Sequence, residues 1–114
     1  MTRDEILNMP AGREMDALVA KNVMKLEFPV YEFDGYKHQY KPKPYSTNIA
    51  AAWEVVDKIN SQESLYNFEL SKDDKSWMCE WWSKETQEPI WATADTAPLA
   101  ICRAALLAVM ESRK

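Results

Sequence analysis

Between residues 65 and 94 three runs alternate apolar with polar side chains, at 65–70, 76–82 and 90–94, with only five and seven residues between them. A parallel pairing needs a crossover of about a dozen residues or more. Spacings this short therefore predict an antiparallel meander. Alternation places Tyr66, Phe68, Leu70, Trp77, Cys79, Trp81, Ile90, Ala92 and Ala94 on one face, the expected core side. The other face carries Asn67, Glu69, Met78, Glu80, Trp82, Trp91 and Thr93. It is too polar for full burial and too aromatic for ordinary solvent-facing surface. Two fates are open to it: an N-terminal helix lies across it and makes a three-layer sandwich, or Trp82 and Trp91 stay partly open as a dimer contact or stacking platform.

Helical periodicity flanks the meander. Thr2 and Glu5 have capping-box spacing and predict a short helix ending before Pro10. Met15, Leu18, Val19 and Val23 form the inner stripe of a helix over about 12–25, with Arg13, Glu14, Asp16 and Lys21 between them. Asp34-Gly35 between 30–33 and 36–40 predicts a two-residue hairpin turn. Lys41-Pro42-Lys43-Pro44 does not belong in a sheet interior. Ser46 or Thr47 is expected to cap a helix with Ile49, Ala52, Trp53, Val56 and Ile59 inward. The last helix, capped by Asp95 or Thr96, puts Leu99, Cys102, Ala105, Leu106 and Val109 on one stripe and runs to about 112. The fold class is α+β: N-terminal helices, then helix, three-stranded antiparallel meander and helix in a layered sandwich. Residues 1–114 make one domain of a size that closes a core without disulfides or metal.

Composition removes whole classes of chemistry. The chain has two glycines and one histidine, so no glycine-rich phosphate loop and no zinc site of common ligand spacing is expected. No cofactor is expected. His38 lacks a motif partner, no nucleophile elbow exists, and Glu63, Glu69 and Glu80 show no spacing that marks an acid and base pair. The expectation is a protein that is not an enzyme. The charged N-terminus and a longest C-terminal apolar run of seven residues, Ala104 to Met110, support neither export nor membrane spanning. Cys79 and Cys102 then read as small buried hydrophobes of a protein in the reducing host cytoplasm.

Three strings resemble one known family: residues 11–24, starting Ala11-Gly12-Arg13-Glu14-Met15-Asp16; residues 45–56, Tyr45-Ser46-Thr47-Asn48-Ile49 through Val56; and residues 94–106, Ala94-Asp95-Thr96-Ala97-Pro98 through Leu106. Together these 39 residues look like the phage ABA-sandwich domain of Bacillus and related Firmicutes. The resemblance implies a phage or prophage origin and an α/β sandwich, and it transfers no catalytic set. Members often carry Gly-Trp and a longer insertion after the position of Met24, where this chain has Lys25-Leu26. The order helix, three strands, helix is also that of double-stranded RNA-binding domains, which hold phosphates with lysines at the start of their last helix. Here that stretch begins with Asp95 and offers only Arg103, which disfavours nucleic acid as a partner.

Two features remain for binding. The segment 36–45 has three lysines and no acid, leaving −7 for the rest of a chain whose net charge is −4. Lysines interleaved with tyrosines suit an anionic ligand with a flat ring; a solvated loop whose tyrosines pack on the domain is the plainer alternative. Arg103, inside an apolar helix, either pairs with a carboxylate such as Glu80 or meets a phosphate. The expected contacts are Tyr40, Lys41, Lys43, Tyr45, Trp82, Trp91 and Arg103. They point to a homo-oligomer that holds a small anionic, nucleotide-like ligand and so counters host defence. The alternative is docking on a host or phage protein through the Trp82 and Trp91 face, with nucleic-acid binding third.

Overall fold

The computed structural model describes residues 2–25, 31–33, 38–40 and 42–112, with the backbone alone at 31–33, 38–40 and 111–112. In chain order the elements are α1 (Arg3–Asn8), α2 (Arg13–Asn22), β1 (Tyr31–Phe33), β2 (His38–Tyr40), α3 (Ile49–Asn60), β3 (Leu65–Lys72), β4 (Trp77–Ser83), β5 (Pro89–Ala94) and α4 (Ala97–Ser112). β3, β4 and β5 pair antiparallel in sequence order, the expected meander. β1 and β2 form a separate two-stranded ribbon. Phe33 pairs with His38, so four residues separate the strands. A two-residue turn at Asp34-Gly35 would have paired Phe33 with Tyr36; the turn itself lies outside the described residues.

Short polar segments close the meander. Asp73 Oδ1 accepts from the backbone N–H groups of Lys75 at 2.8 Å and Ser76 at 2.7 Å, folding the β3–β4 connection into an Asx turn. Those two donors hold the Asp73 carboxyl below its ordinary pKa. At the other connection Gln87 takes a φ of 59° and its N–H returns to the Ser83 carbonyl at 2.9 Å.

One residue breaks the alternation of β3. The register runs Leu65 with Ser83 and Tyr66 with Trp82, then Glu69 with Glu80 and Leu70 with Cys79. Asn67 and Phe68 together therefore face Trp81, with Asn67 at a φ of 55°. This is a β-bulge, and asparagine tolerates that left-handed backbone better than a branched residue does. The bulge turns Leu65 into the core and Tyr66 onto the outer face, correcting the expected core position of Tyr66. Beyond it the pattern holds: Cys79, Trp81, Ile90, Ala92 and Ala94 are buried.

α4 is the centre of the molecule. Ala97, every residue from Leu99 to Cys102 and every residue from Ala104 to Val109 is buried, and a helix apolar on all sides must be enclosed. β4 and β5 cover one side, while α1, α2 and α3 pack on it as well. The N-terminal helices thus join the helical side of the sheet instead of crossing its outer face, where Trp91 remains 45% exposed. Thr96 caps α4, accepting from Leu99 N at 3.4 Å.

α3 departs from expectation in its cap and its face. Asn48, not Ser46 or Thr47, is the N-cap, accepting from Ala51 N at 3.1 Å. The buried stripe is Ala51, Ala52, Val55, Val56 and Ile59, while Ile49 and Trp53 are exposed. α3 packs on α4 with Ala51 and Ala52 among its buried residues, and a tryptophan within such a helix seam holds the two axes apart. Trp53 instead stands at the flank with its ring edge-on to Phe68, centroids 5.8 Å apart.

Ser46 has a different task. Its Oγ donates to Asp16 Oδ1 at 2.6 Å, its N–H donates to the same oxygen at 2.8 Å, and Oγ accepts from Gly12 N at 2.9 Å. Asp16 and Ser46 are both buried, so Asp16 is not the solvent-facing residue that periodicity suggests. Gly12, the N-cap of α2, sits at φ 147°, ψ −167°, a region essentially reserved for glycine. The knot ties the start of α2 to the chain entering α3.

Two outcomes follow from this packing. Ser46→Ala removes a donor from a buried carboxylate and should cost about 1–3 kcal/mol in denaturant unfolding. In a double-mutant cycle with Asp16→Ala the two costs should fall short of additive; strict additivity would show that the bonds carry no coupling energy. Second, Cys79 and Cys102 form no disulfide, and burial pushes both thiols up from their ordinary pKa. Their contribution to stability is complete below the unfolded thiol value of about 8.5 and falls above it, by about 1.4 kcal/mol per pH unit for each thiol. A disulfide-exchange reagent should titrate both only after unfolding, and rapid labelling of the folded protein would contradict this.

Candidate functional site

The edge strand β5 sets the geometry of the site. Its alternation turns Ile90, Ala92 and Ala94 onto α4 and leaves Trp91 and Thr93 exposed. From α4 the Arg103 side chain reaches back to this strand. Its Nη1 donates to the Thr93 carbonyl at 2.9 Å, while Nη2 and Nε donate to the Met9 carbonyl at 2.9 and 3.3 Å. Met9 is the C-cap of α1, so one guanidinium fastens the first helix to the last strand. Carbonyl oxygens satisfy donors but do not neutralise charge.

Arg103 makes no ion pair among the described residues; Glu80, a candidate partner on sequence grounds, does not bond to it. Partial burial lowers its pKa and Asp95 opposes that in part. An arginine still keeps its proton in such surroundings. The result is a half-buried positive charge of α4 set against the strand that displays Trp91.

The other expected contacts are placed differently. Lys43 Nζ donates to both carboxylate oxygens of Glu54, at 2.8 and 3.1 Å, and that contact raises its pKa. Tyr45 is buried in the core at 2% exposure. Tyr40 lies in β2, its side chain outside the described residues, and Lys41 lies wholly outside them. Of the lysine and tyrosine segment, the described side chains are thus a paired lysine and a core tyrosine. Trp82 is half-buried on the outer face, paired across the sheet with Tyr66 on one side and Pro89 on the other. The sheet brings Trp82 and Trp91 to one face, and α4 brings Arg103 to its edge.

A small, partly open cavity between Ser64, Ser83, Thr86 and Ala108 has about 20 Å³, room for about one water. A nucleotide-sized ligand asks for about 300 Å³ or more. An open hollow at Asp73, Asp74 and Lys75 offers two carboxylates and is unsuited to an anion. Among the described residues no cluster of histidine, cysteine or carboxylate side chains could hold a metal. No helix among them is long and apolar enough to cross a membrane.

The family described as the phage ABA sandwich domain matches residues 17–106. The crystal structure of a phage protein from Bacillus cereus ATCC 14579 is similar over 87% of this chain and 86% of its own, with a TM-score of 0.65 and 28% identity. No curated protein matches this chain.

The two classes of tryptophan should separate by mutation. Trp81 is fully buried and its Nε1 donates to Asn60 Oδ1 at 2.8 Å; Trp81→Ala should cost about 3–5 kcal/mol. Trp91→Ala should leave stability within about 0.5 kcal/mol, as an exposed substitution does. Urea unfolding of both variants checks this, and a Trp91→Ala loss as large as that of Trp81→Ala would show the outer face to be covered.

Proposed function

The chain belongs to the phage ABA sandwich domain family, and from that premise we propose that it is a non-catalytic phage accessory protein that binds a small anionic, nucleotide-like ligand. It acts in the host cell cytoplasm as a homo-oligomer, holding the ligand out of reach of a host defence signal. The observation that carries this reading is Arg103: a half-buried guanidinium of α4 held by two carbonyls, with no carboxylate among the described residues bound to it, against the strand that exposes Trp91. A phosphate can approach the guanidinium while a flat base stacks on the indole. The part of the site once expected at Lys43 is better read as structure, because an anion there would compete with Glu54. Among the described residues the small cavity cannot enclose a nucleotide, so the ligand of this reading lies on the open surface between Arg103 and Trp91.

A second reading has support of its own: the outer sheet face, which none of the described helices crosses and on which Tyr66 and Trp82 join the exposed Trp91, suits docking on another protein.

Native mass spectrometry of the protein purified from infected cells tests the ligand. A bound mass of a few hundred daltons is expected, lost in Trp91→Ala while the variant stays folded. A wild-type protein without bound small molecule, equally protective in an infection assay, would overturn the ligand reading and favour the docking one.

A further inference from the structure

The outer sheet face carries a charge pattern that the ligand reading does not use. Glu69 and Glu80 are direct register partners on β3 and β4. Like charges directly opposite in an antiparallel pair destabilise the sheet. Among the described residues neither carboxylate makes an ion pair or a hydrogen bond. The strand positions of this face supply no compensating base among the described residues: they are Tyr, Glu and Ser on β3, Met, Glu and Trp on β4, and Pro, Trp and Thr on β5. Immediately beside the two carboxylates on the same face lie Tyr66 and Trp82, themselves register partners and both half-buried.

Two unpaired carboxylates against a phenol and an indole form the surroundings that a guanidinium suits. Its planar fork donates to two carboxylate oxygens while its face lies on an aromatic ring. The geometry points to the outer face of β3 and β4 as a docking surface for an arginine-bearing segment of another protein, the arginine seated between Glu69, Glu80, Tyr66 and Trp82. Docking relieves the repulsion that the folded chain carries alone, and the negative charge of the chain outside 36–45 steers a cationic segment toward it. Trp91, the stacking ring of the ligand reading, is the cross-strand partner of Glu80 on this face, so the inference rests on the docking reading; loss of peptide binding in E69Q/E80Q with the copurified small molecule retained separates it from the ligand reading.

The test uses the full chain and a capped pentapeptide with arginine at its second and fourth positions, alongside its neutral citrulline counterpart. Binding is followed by calorimetry at low salt. The arginine peptide should bind at least about tenfold more tightly than the citrulline peptide, a difference of about 1.4 kcal/mol. E69Q/E80Q should lose at least tenfold, while E63Q/E88Q, which changes net charge equally but at exposed positions off this face, should stay within twofold. The double variant E69Q/E80Q should unfold no more easily than wild type, which keeps a binding loss from being a folding loss. Equal affinity for the two peptides, or full binding by E69Q/E80Q, would overturn the proposal. So would self-association of the wild type abolished by Trp82→Ala, which assigns the face to a second copy.

Discussion

The burial of α4 on every side is the constraint from which the rest of the structure is built. A helix with so little polar surface cannot lie on a sheet with its back to water, so three further helices are drawn to it. This is why α1 and α2 pack on α4 instead of crossing the sheet. Arg103 interrupts the buried run, and it points toward the two carbonyls that would otherwise be left at the junction of α1 and β5. Its position is structural first. What is chemically unusual is that the partners are dipoles, so the junction is satisfied in hydrogen bonds and unsatisfied in charge.

A second tie holds the helical layer in register. Arg103 ties the end of α1 to α4 through the Met9 carbonyl, and the Gly12, Asp16 and Ser46 knot fixes the start of α2 in distance and orientation at once. It needs a glycine because the N-cap of α2 adopts a backbone that other residues avoid. It also holds Tyr45, next to Ser46, in the core, which takes that ring out of the candidate ligand surface.

The meander, its strand order and the burial of Cys79, Trp81 and Cys102 were legible in the sequence, because a period of two with short connections leaves few topologies. Tyr66 was not, since one left-handed asparagine reverses the alternation before it, and nothing in a strand-like string marks where a bulge will fall. Trp53 misled for a related reason. Hydrophobicity alone favours the largest apolar residue for the core, but close approach of α3 to α4 favours alanine. Asp16 and Ser46 satisfy one another across 30 positions of sequence, and a spacing rule sees neither partner. Their occurrence inside the strings that carry the family resemblance was the one available signal.

Arg103 illustrates how far sequence reasoning reaches into the candidate site. Its isolation in an apolar helix marks it as a residue with a partner, and the choice lay between a carboxylate and an anionic ligand. The structure offers a third state, in which backbone carbonyls take the hydrogen bonds and leave the charge. That state is compatible with holding a fold together and with attracting an anion, because carbonyl oxygens occupy only part of the donor fork while a phosphate can take up the remainder. Trp91 must stay exposed for the same surface to work, and β5 ensures it: its inward positions are filled by Ile90, Ala92 and Ala94 against α4, so the tryptophan between them has only the outer face to occupy.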